Sequence, residues 1–368
     1  METKQWKDIL HIVSGKNQKE VANPVGKYPI YGSGGQMGYA DDYLCEAGTT
    51  IVGRKGTINR PIFVNEPFWN IDTAFGVVPD EGLDPKYLYY FCVYFNFMPL
   101  DKSTGRPSLA KSDLLKIEMP VPDITEQRRI VGRIEELFSQ LDDGKETLTK
   151  VKAQLAVYRQ AVLKEAFSDC SEKKPIREMS SIVTSGSRGW AAYYSDSGAK
   201  FIRIGNLTRN KIYIDLEDIQ HVTLPEKAEG TRTRLEPNDV LVSITADLGS
   251  IGLIPADIGE AYVNQHIAMI RFDNSEQGEF FAWYLRSEYG QKDLLKNKRG
   301  GGKLGLGLDD IRDSRVPVVS DETAQNILSE IDARLSVCDS IEQTVEKALK
   351  QAEAMQHSIL KQAFEGRL

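Results

Sequence analysis

The sequence predicts an α+β protein. Two mixed α/β globules are separated by two long helices, the helices pair as an antiparallel coiled coil, and the whole forms a pseudo-two-fold internal repeat. Three observations lead there. An apolar heptad series runs through the middle of the chain and returns at its C-terminal end. Both series close on nearly the same residues, Leu163–Phe167 (LKEAF) and Leu360–Phe364 (LKQAF). The stretches ahead of them carry short β-branched runs and glycine turns in matching order, which read as strands.

The first series is Ile130, Ile134, Leu137, Leu141, Leu148, Val151, Leu155, Tyr158 and Val162, interrupted only by Gly144. Moved by 197 positions it becomes Ile327, Ile331, Arg334, Cys338, Ile341, Val345, Ala348, Ala352, Met355 and Ile359. Steps of three and four average 3.5 residues per turn, the spacing of a left-handed supercoil. The first seam is rich in leucine and the second in small residues, so a large-against-small pairing is expected. Antiparallel packing within one chain leaves one globule at each end. Packing of each helix on its own globule, or pairing between two chains, satisfies the same pattern.

Pro120 and Pro122 cannot sit inside a helix and so end the first globule. Asp123 or Thr125 then caps the first helix, and Glu126 places acid in its first turn. Val316-Pro317 repeats the stop, with Ser320 or Asp321 as cap. Each helix is a rod of roughly 65 Å at about 1.5 Å per residue. The expected boundaries are a first globule over 1–120, a helix over 121–170, a second globule over 171–315 and a helix over 316–368.

The globules echo each other more weakly. Tyr28–Ser33 resembles Phe201–Asn206, Thr50–Gly56 resembles Val240–Ala246, and Asn70–Phe75 resembles Val263–Ala268. Tyr87–Phe91 matches Phe280–Leu285, and Leu109–Leu114 matches Leu306–Ile311. The growing offset places insertions in the second globule. The apolar run from Tyr87 to Leu100 is too short to span a bilayer and predicts a helix behind the strands.

At 368 residues and 41% hydrophobic content, two or three domains can each bury a core. Cys45, Cys92, Cys170 and Cys338 form no CxxC pair and read as reduced thiols of a cytoplasmic protein. The first residues, METKQWKDIL, contain no apolar stretch of an export signal. A net charge of −7 argues against a simple basic nucleic-acid binder. Residues 316–368 hold 5 basic and 9 acidic side chains, a net −4, so the globules are close to neutral and free to carry a local basic face.

Motifs of catalysis do not emerge. No Asn/Asp-Pro-Pro-Tyr/Phe stretch is present to hold a flipped base; Asn23-Pro24-Val25 comes nearest. The glycine-rich stretches at 32–35 and 300–307 do not fit the phosphate-wrapping GxxxxGK[ST] pattern. Asp80, Asp84 and Lys86 imitate a nuclease carboxylate set only as closely as chance allows. His11, His221, His266 and His357 lie far apart and make no metal-ligand pattern, so no metal is expected.

The chain resembles the specificity (S) subunit of type I restriction-modification systems. The resemblance rests on Leu114–Pro122 (LLKIEMPVP), on Glu126–Val131 (EQRRIV), on the twice-used LKxAF helix ending and on the alternation of globule and helix. The second helix departs from it, with Thr323-Ala324 where the first has Glu126-Gln127. The resemblance implies that each globule is a target recognition domain reading one half of a split double-stranded DNA target. It implies that the helices set the spacing and dock two modification (methyltransferase) subunits. Those partners carry S-adenosylmethionine and methylate adenine at N6, so no cofactor is expected on this chain and the chain itself is not an enzyme. With restriction subunits the assembly cleaves DNA at the expense of ATP. The competing readings are a coiled-coil scaffold that binds protein only and an enzyme with an unrecognised site.

Side chains suited to duplex DNA are Arg and Lys for guanine and phosphate and Asn and Gln for adenine, on glycine-flanked loops. In the first globule these are Arg54, Lys55, Asn59 and Arg60, then Lys102 and Arg106. In the second they are Ser187, Arg188 and Trp190, then Arg203, Asn206, Arg209, Asn264 and Gln265, with Thr245 between. The most basic run, Lys296, Lys298, Arg299 and Lys303, matches Lys102–Arg106 in position, which favours phosphate clamping in both repeats. On the first helix, Glu126, Gln127, Arg129 and Arg133 are the candidate partner contacts.

Overall fold

The computed structural model describes residues 2–209, 211–224, 232–296, 298 and 305–368. The chain divides into two compact units, Met1–Lys150 with Val345–Leu368, and Val151–Thr344.

In the first unit, strand β1 (Thr3–Gln5) pairs antiparallel with β9 (Glu118–Pro120), so the globule opens and closes at one point. Between them, β2 (Leu10–Ser14), β8 (Ala74–Pro79), β5 (Thr49–Gly53) and β6 (Ile62–Val64) form an antiparallel sheet in that order. A smaller sheet is ordered β4 (Gly35–Ala40), β3 (Tyr28–Gly32), β7 (Trp69–Asn70), and its β3–β7 pair is parallel. Helix α1 (Pro85–Tyr94) covers the larger sheet, as the apolar run at Tyr87 predicts. It starts with Asp84 accepting from the Lys86 and Tyr87 amides, and Pro85 sits in its first turn, where the missing N–H costs nothing. A cap is therefore what Asp84 is here. The short α2 (Lys111–Leu114) leads to β9, and α3 (Ile124–Ala166) follows.

The second unit repeats this plan. Strand β10 (Lys173–Pro175) pairs with β19 (Arg315–Pro317). The larger sheet is ordered β11 (Ser180–Ser185), β18 (Ile267–Phe272), β15 (Val240–Ser243), β16 (Ile251–Leu253). The smaller is β12 (Tyr194–Ser195), β14 (Gln220–Val222), β13 (Ala199–Ile202), β17 (Ala261–Val263), again with a parallel pair, β13–β17. Helices α4 (Gly278–Arg286) and α5 (Glu288–Leu294) fill the place of α1, α6 (Leu308–Asp313) that of α2, and α7 (Asp321–Phe364) that of α3. The likeness reaches single hydrogen bonds. Lys55 bridges Ser108 and Thr245 bridges Gly305. Gly15 and Gly186 occupy one position in the two plans, each so close to the opposite backbone that a Cβ would lie 1.8 Å from Ile71 O or 2.1 Å from Val263 O.

Helices α3 and α7 contain 43 and 44 residues. Asp123 caps α3 by accepting from the Thr125 and Glu126 amides, and Ser320 caps α7 by accepting from Thr323 N. In the first unit Ile130, Val131 and Ile134 of α3 share a core with Ile359, Leu360, Ala363 and Phe364 of α7. Arg129 donates to Leu368 O, and Gln356 to Asp142, so the two segments run antiparallel. In the second unit Val162, Leu163 and Phe167 meet Leu328, Ile331 and Leu335. There Arg159 binds Asp339 and Glu342, and Arg334 binds Glu165, again antiparallel.

The expected seam is partly one residue out of phase. Tyr158, Ile341 and Met355 are exposed, the last at 53%. The half-buried positions are Arg159, Glu342 and Gln356. From Ile331, Cys338, Val345, Ala352 and Ile359, all buried, a heptad can step by three or by four. Packing selects the phase that puts Leu328 and Leu335 inside and leaves polar side chains facing each other further along.

Candidate nucleic-acid interface

In the first unit β5 ends at Gly53, and the chain turns so that the Arg54 and Lys55 amides both donate to Thr73 O. The 101–109 segment is laid against this turn by Gly56 N donating to Pro107 O and Leu109 N to Arg54 O. Gly56 has φ +87°, and its missing side chain leaves room for Arg106: a Cβ there would lie 2.6 Å from Arg106 Nη2. Asp101 accepts from Ser103 N, Ser103 Oγ and Ser108 N, which fixes the segment and holds its carboxyl below the usual carboxylate range.

The result is a cleft of about 570 Å³ lined by Arg54, Lys102 and Lys111 with Ser14, Ser103 and Ser108. Arg54 lies over the Phe75 ring at 5.8 Å, and Lys102 reaches Asp113 at 2.8 Å while mostly exposed. Two expected residues, Arg54 and Lys102, are thus brought to one place from opposite ends of the globule's sequence. Lys111, anchored on Ile12 O, was missed; its position after the Pro107–Ala110 turn was the available signal.

The second unit has a cleft of about 560 Å³ lined by Arg203, Asn206, Asp215, Glu217, Asp218, Asn264 and His266. His266 Nδ1 meets Thr245 Oγ1 at 2.8 Å, and its Nε2 meets the Gln265 amide nitrogen at 2.8 Å. In the linear sequence His266 is only one of four scattered histidines. The first cleft is cationic and suits phosphate. The second sets the Arg203 guanidinium and the His266 imidazole among three carboxylates and the buried amides of Asn206 and Asn264.

Several expected contacts serve the fold instead. Asn59 is tied to Asn96 Oδ1 and accepts from Phe97 N. Asn206, 4% exposed, caps its own turn, accepting from Arg203 N and donating to the Asp215 and Asp218 carbonyls. Trp190 is buried, stacked on Phe201 at 4.8 Å, so it cannot enter a groove. Asn264 is buried and accepts from His266 N. Arg209, more than half exposed, pairs with Asp247 at the surface and holds its carboxyl below the usual range. Ser187 is half-buried, and Lys55, Arg60 and Arg188 are exposed. Lys296 pairs with Asp293, Lys298 is exposed, and Arg299 and Lys303 lie outside the described residues.

On α3, Arg129 pairs with Glu126 and also donates to Leu368 O, and Arg133 pairs with Glu136; Arg129, Arg133 and Glu136 are exposed and Glu126 is half-buried. Gln127 is the correction. It is fully buried, its Oε1 accepting from Asp84 N at 2.8 Å and its Nε2 donating to Gly82 O and Pro122 O. No partner can reach it.

A further cavity of about 590 Å³ beside β11 is lined by Arg177, Arg232, Arg234, Arg271 and Arg312. Arg232 and Arg234 are exposed, whereas Arg271 is bound to the buried Asp239. No group of three or more His, Cys, Asp or Glu among the described residues could hold a metal ion. All four cysteines are buried free thiols, and burial pushes the Cys45 thiol up to about 12. No helix among the described residues is long and apolar enough to cross a membrane.

Comparison with known proteins adds to this geometry. A family described as "Type I restriction modification DNA specificity domain" matches residues 1–154 and 172–351. The type I restriction enzyme EcoBI specificity subunit of Escherichia coli is 24% identical over 353 residues, 86% of this chain and 73% of that one. The StySPI specificity subunit of Salmonella potsdam is 24% identical over 342 residues, with the same shares of each chain. Among solved structures, a chain from work on complex assembly and conformational transition of the type I R-M system superposes with a TM-score of 0.77 at 15% identity, covering 100% of this chain and 98% of that one. The HsdS subunit from Thermoanaerobacter tengcongensis gives 0.56 at 15% identity, covering 100% and 97%. At such identities these two likenesses bear on the fold.

Proposed function

The chain belongs to the type I restriction-modification DNA specificity family, and from that premise we propose that its two units each read one half of a split duplex target. It is the non-catalytic, DNA-recognising subunit of such a system. In the first unit Arg54, Lys102 and Lys111 hold phosphates, with Arg106 beside Gly56 and Lys55 bridged to Ser108 as their neighbours. In the second, Arg203, Gln265, His266 and Thr245 meet base edges. The observation that carries this reading is the duplication of one scaffold, its larger sheet matched strand for strand, with a polar cleft in each copy.

The remaining parts of the reading rest on the family. Two methyltransferase subunits dock on the helices, with Arg129 and Arg133 of the outer face among the contacts. S-adenosylmethionine and the chemistry reside on those partners, and restriction subunits complete the assembly. The paired helices set the spacer between the half-sites.

The test uses the full chain with its methyltransferase partner. Arg54→Ala with Lys102→Ala is expected to weaken duplex binding uniformly across sequences. It is also expected to lower the log–log salt slope by about 0.9 for each phosphate that is no longer neutralised. Arg203→Ala is expected to relax selectivity in one half-site by about 1–3 kcal/mol. A complex with no sequence-selective footprint would overturn the reading in favour of a protein-only scaffold.

A further inference from the structure

Arg286 ends α4 in an unusual setting within the second unit. Its guanidinium lies against the Trp283 ring at 5.7 Å, and it donates to Lys211 O at 2.5 Å. Among the described residues no carboxylate pairs with it. Burial, and then the fields of Arg159 and Arg209, hold it below the arginine range, at about 10. Arg159 is already bound to Asp339 and Glu342, and Arg209 to Asp247. Arg286 is thus a half-buried cation with no carboxylate of its own among the described residues, beside two guanidinium groups whose carboxylates are already engaged.

The space beside it has room for an anion. A cavity of about 360 Å³ is lined by Arg159, Arg209, Arg286 and Lys152, with one carboxylate, Glu342, which pairs with Arg159 and Lys152, and with Leu163, Trp283 and Leu335 as an apolar wall. A second space of about 220 Å³ shares Arg209, Arg286 and Gln160 with it and adds Thr208 and Ser250. The walls are α3 and α7 on one side and the α4 end with Thr208 and Arg209 on the other. A carboxylate, planar and singly charged, would satisfy one guanidinium fork. Several guanidinium groups lining one space suit a tetrahedral oxyanion of higher charge, whose oxygens can each accept from a fork.

We propose that this cavity is a binding site for a dianionic phosphoryl group, held by Arg286 and Arg209 and by the Gln160 amide. The site lies apart from the base-reading cleft, none of whose lining residues it shares. It does not depend on the duplex-reading proposal, since free phosphate and a nucleic-acid backbone offer the same chemistry. Occupancy ties α3 to the second globule through the charge on Arg286.

Thermal unfolding of the full chain tests this, with inorganic phosphate against chloride at matched ionic strength and, separately, with a short duplex of arbitrary sequence. Phosphate is expected to raise the midpoint of the wild type, and Arg286→Met to remove that increment and weaken phosphate binding at least tenfold. An increment seen only with the duplex, and removed by Arg286→Met, assigns the site to backbone phosphate. An increment that the variant retains, or none with either probe, overturns the proposal. Arg286→Lys keeps a charge but no fork, and is expected to lose most of the increment; it serves if Arg286→Met does not fold.

Discussion

Gln127 shows how a polar side chain on a helix can belong wholly to the fold. Its amide makes three hydrogen bonds, two to Asp84 N and Gly82 O in the turn ahead of α1 and one to Pro122 O in the lead-in to α3. The second unit makes the same joint from the other side. There Ala324 fills the Gln127 position, and Gln277, at the start of α4, donates to Val319 O and Asp321 Oδ1. Val319 matches Pro122 in the repeat, so one glutamine ties the same two elements in each unit, reached from opposite partners. This accounts for Thr323-Ala324 standing where Glu126-Gln127 stands in the first helix. Gln127→Ala would take the partner from three backbone groups, those of Gly82, Asp84 and Pro122, and leave a cavity at a buried position. Urea unfolding is expected to show a loss of about 2–4 kcal/mol, and outer-face Arg133→Ala a loss within about 0.5 kcal/mol.

At the scale of elements, the long helices carry a polar step in an otherwise apolar seam. Arg159 of α3 binds Glu342 and Asp339 of α7, and Lys152 lies 3.7 Å from Glu342. Polar pairs at such positions specify register at some cost in stability. Glu342→Leu alone removes one acceptor from a partly buried guanidinium and is expected to cost about 1–3 kcal/mol. Arg159→Leu with Glu342→Leu is expected to be neutral or stabilising. The two single variants and the double variant, compared by thermal unfolding, give the coupling directly. A double variant less stable than both singles would show that the step contributes net stability.

At the scale of the whole molecule, duplication is the organising fact. Each unit closes its own terminal strand pair, β1 with β9 and β10 with β19, and each has its own core. A unit closed in this way can be exchanged without unpicking the other. Replacing residues 1–120 by the equivalent globule of another family member is therefore expected to change one half of the methylated motif and leave the other half as it was. Methylation mapping of a genome exposed to the chain with its methyltransferase partner reads this out. A change in both halves together would refute the assignment of one unit to one half-site.

Linear pattern alone determined the α+β class, the two long helices with a cap at Asp123 or Thr125 and at Ser320 or Asp321, and the doubled order of strands and glycine turns. Each of these is written in local periodicity and in residues whose backbone preferences act over a few positions. Tertiary structure alone decided the phase of the seam, because Ile331 and its heptad successors fit either step until Leu328 and Leu335 find a core. It also decided which polar residues face water. Arg54 and Lys102 meet at one cleft, while Gln127, Asn206 and Trp190 turn inward, because a side chain's role is set by which distant backbone groups arrive beside it, and residue type carries no record of that.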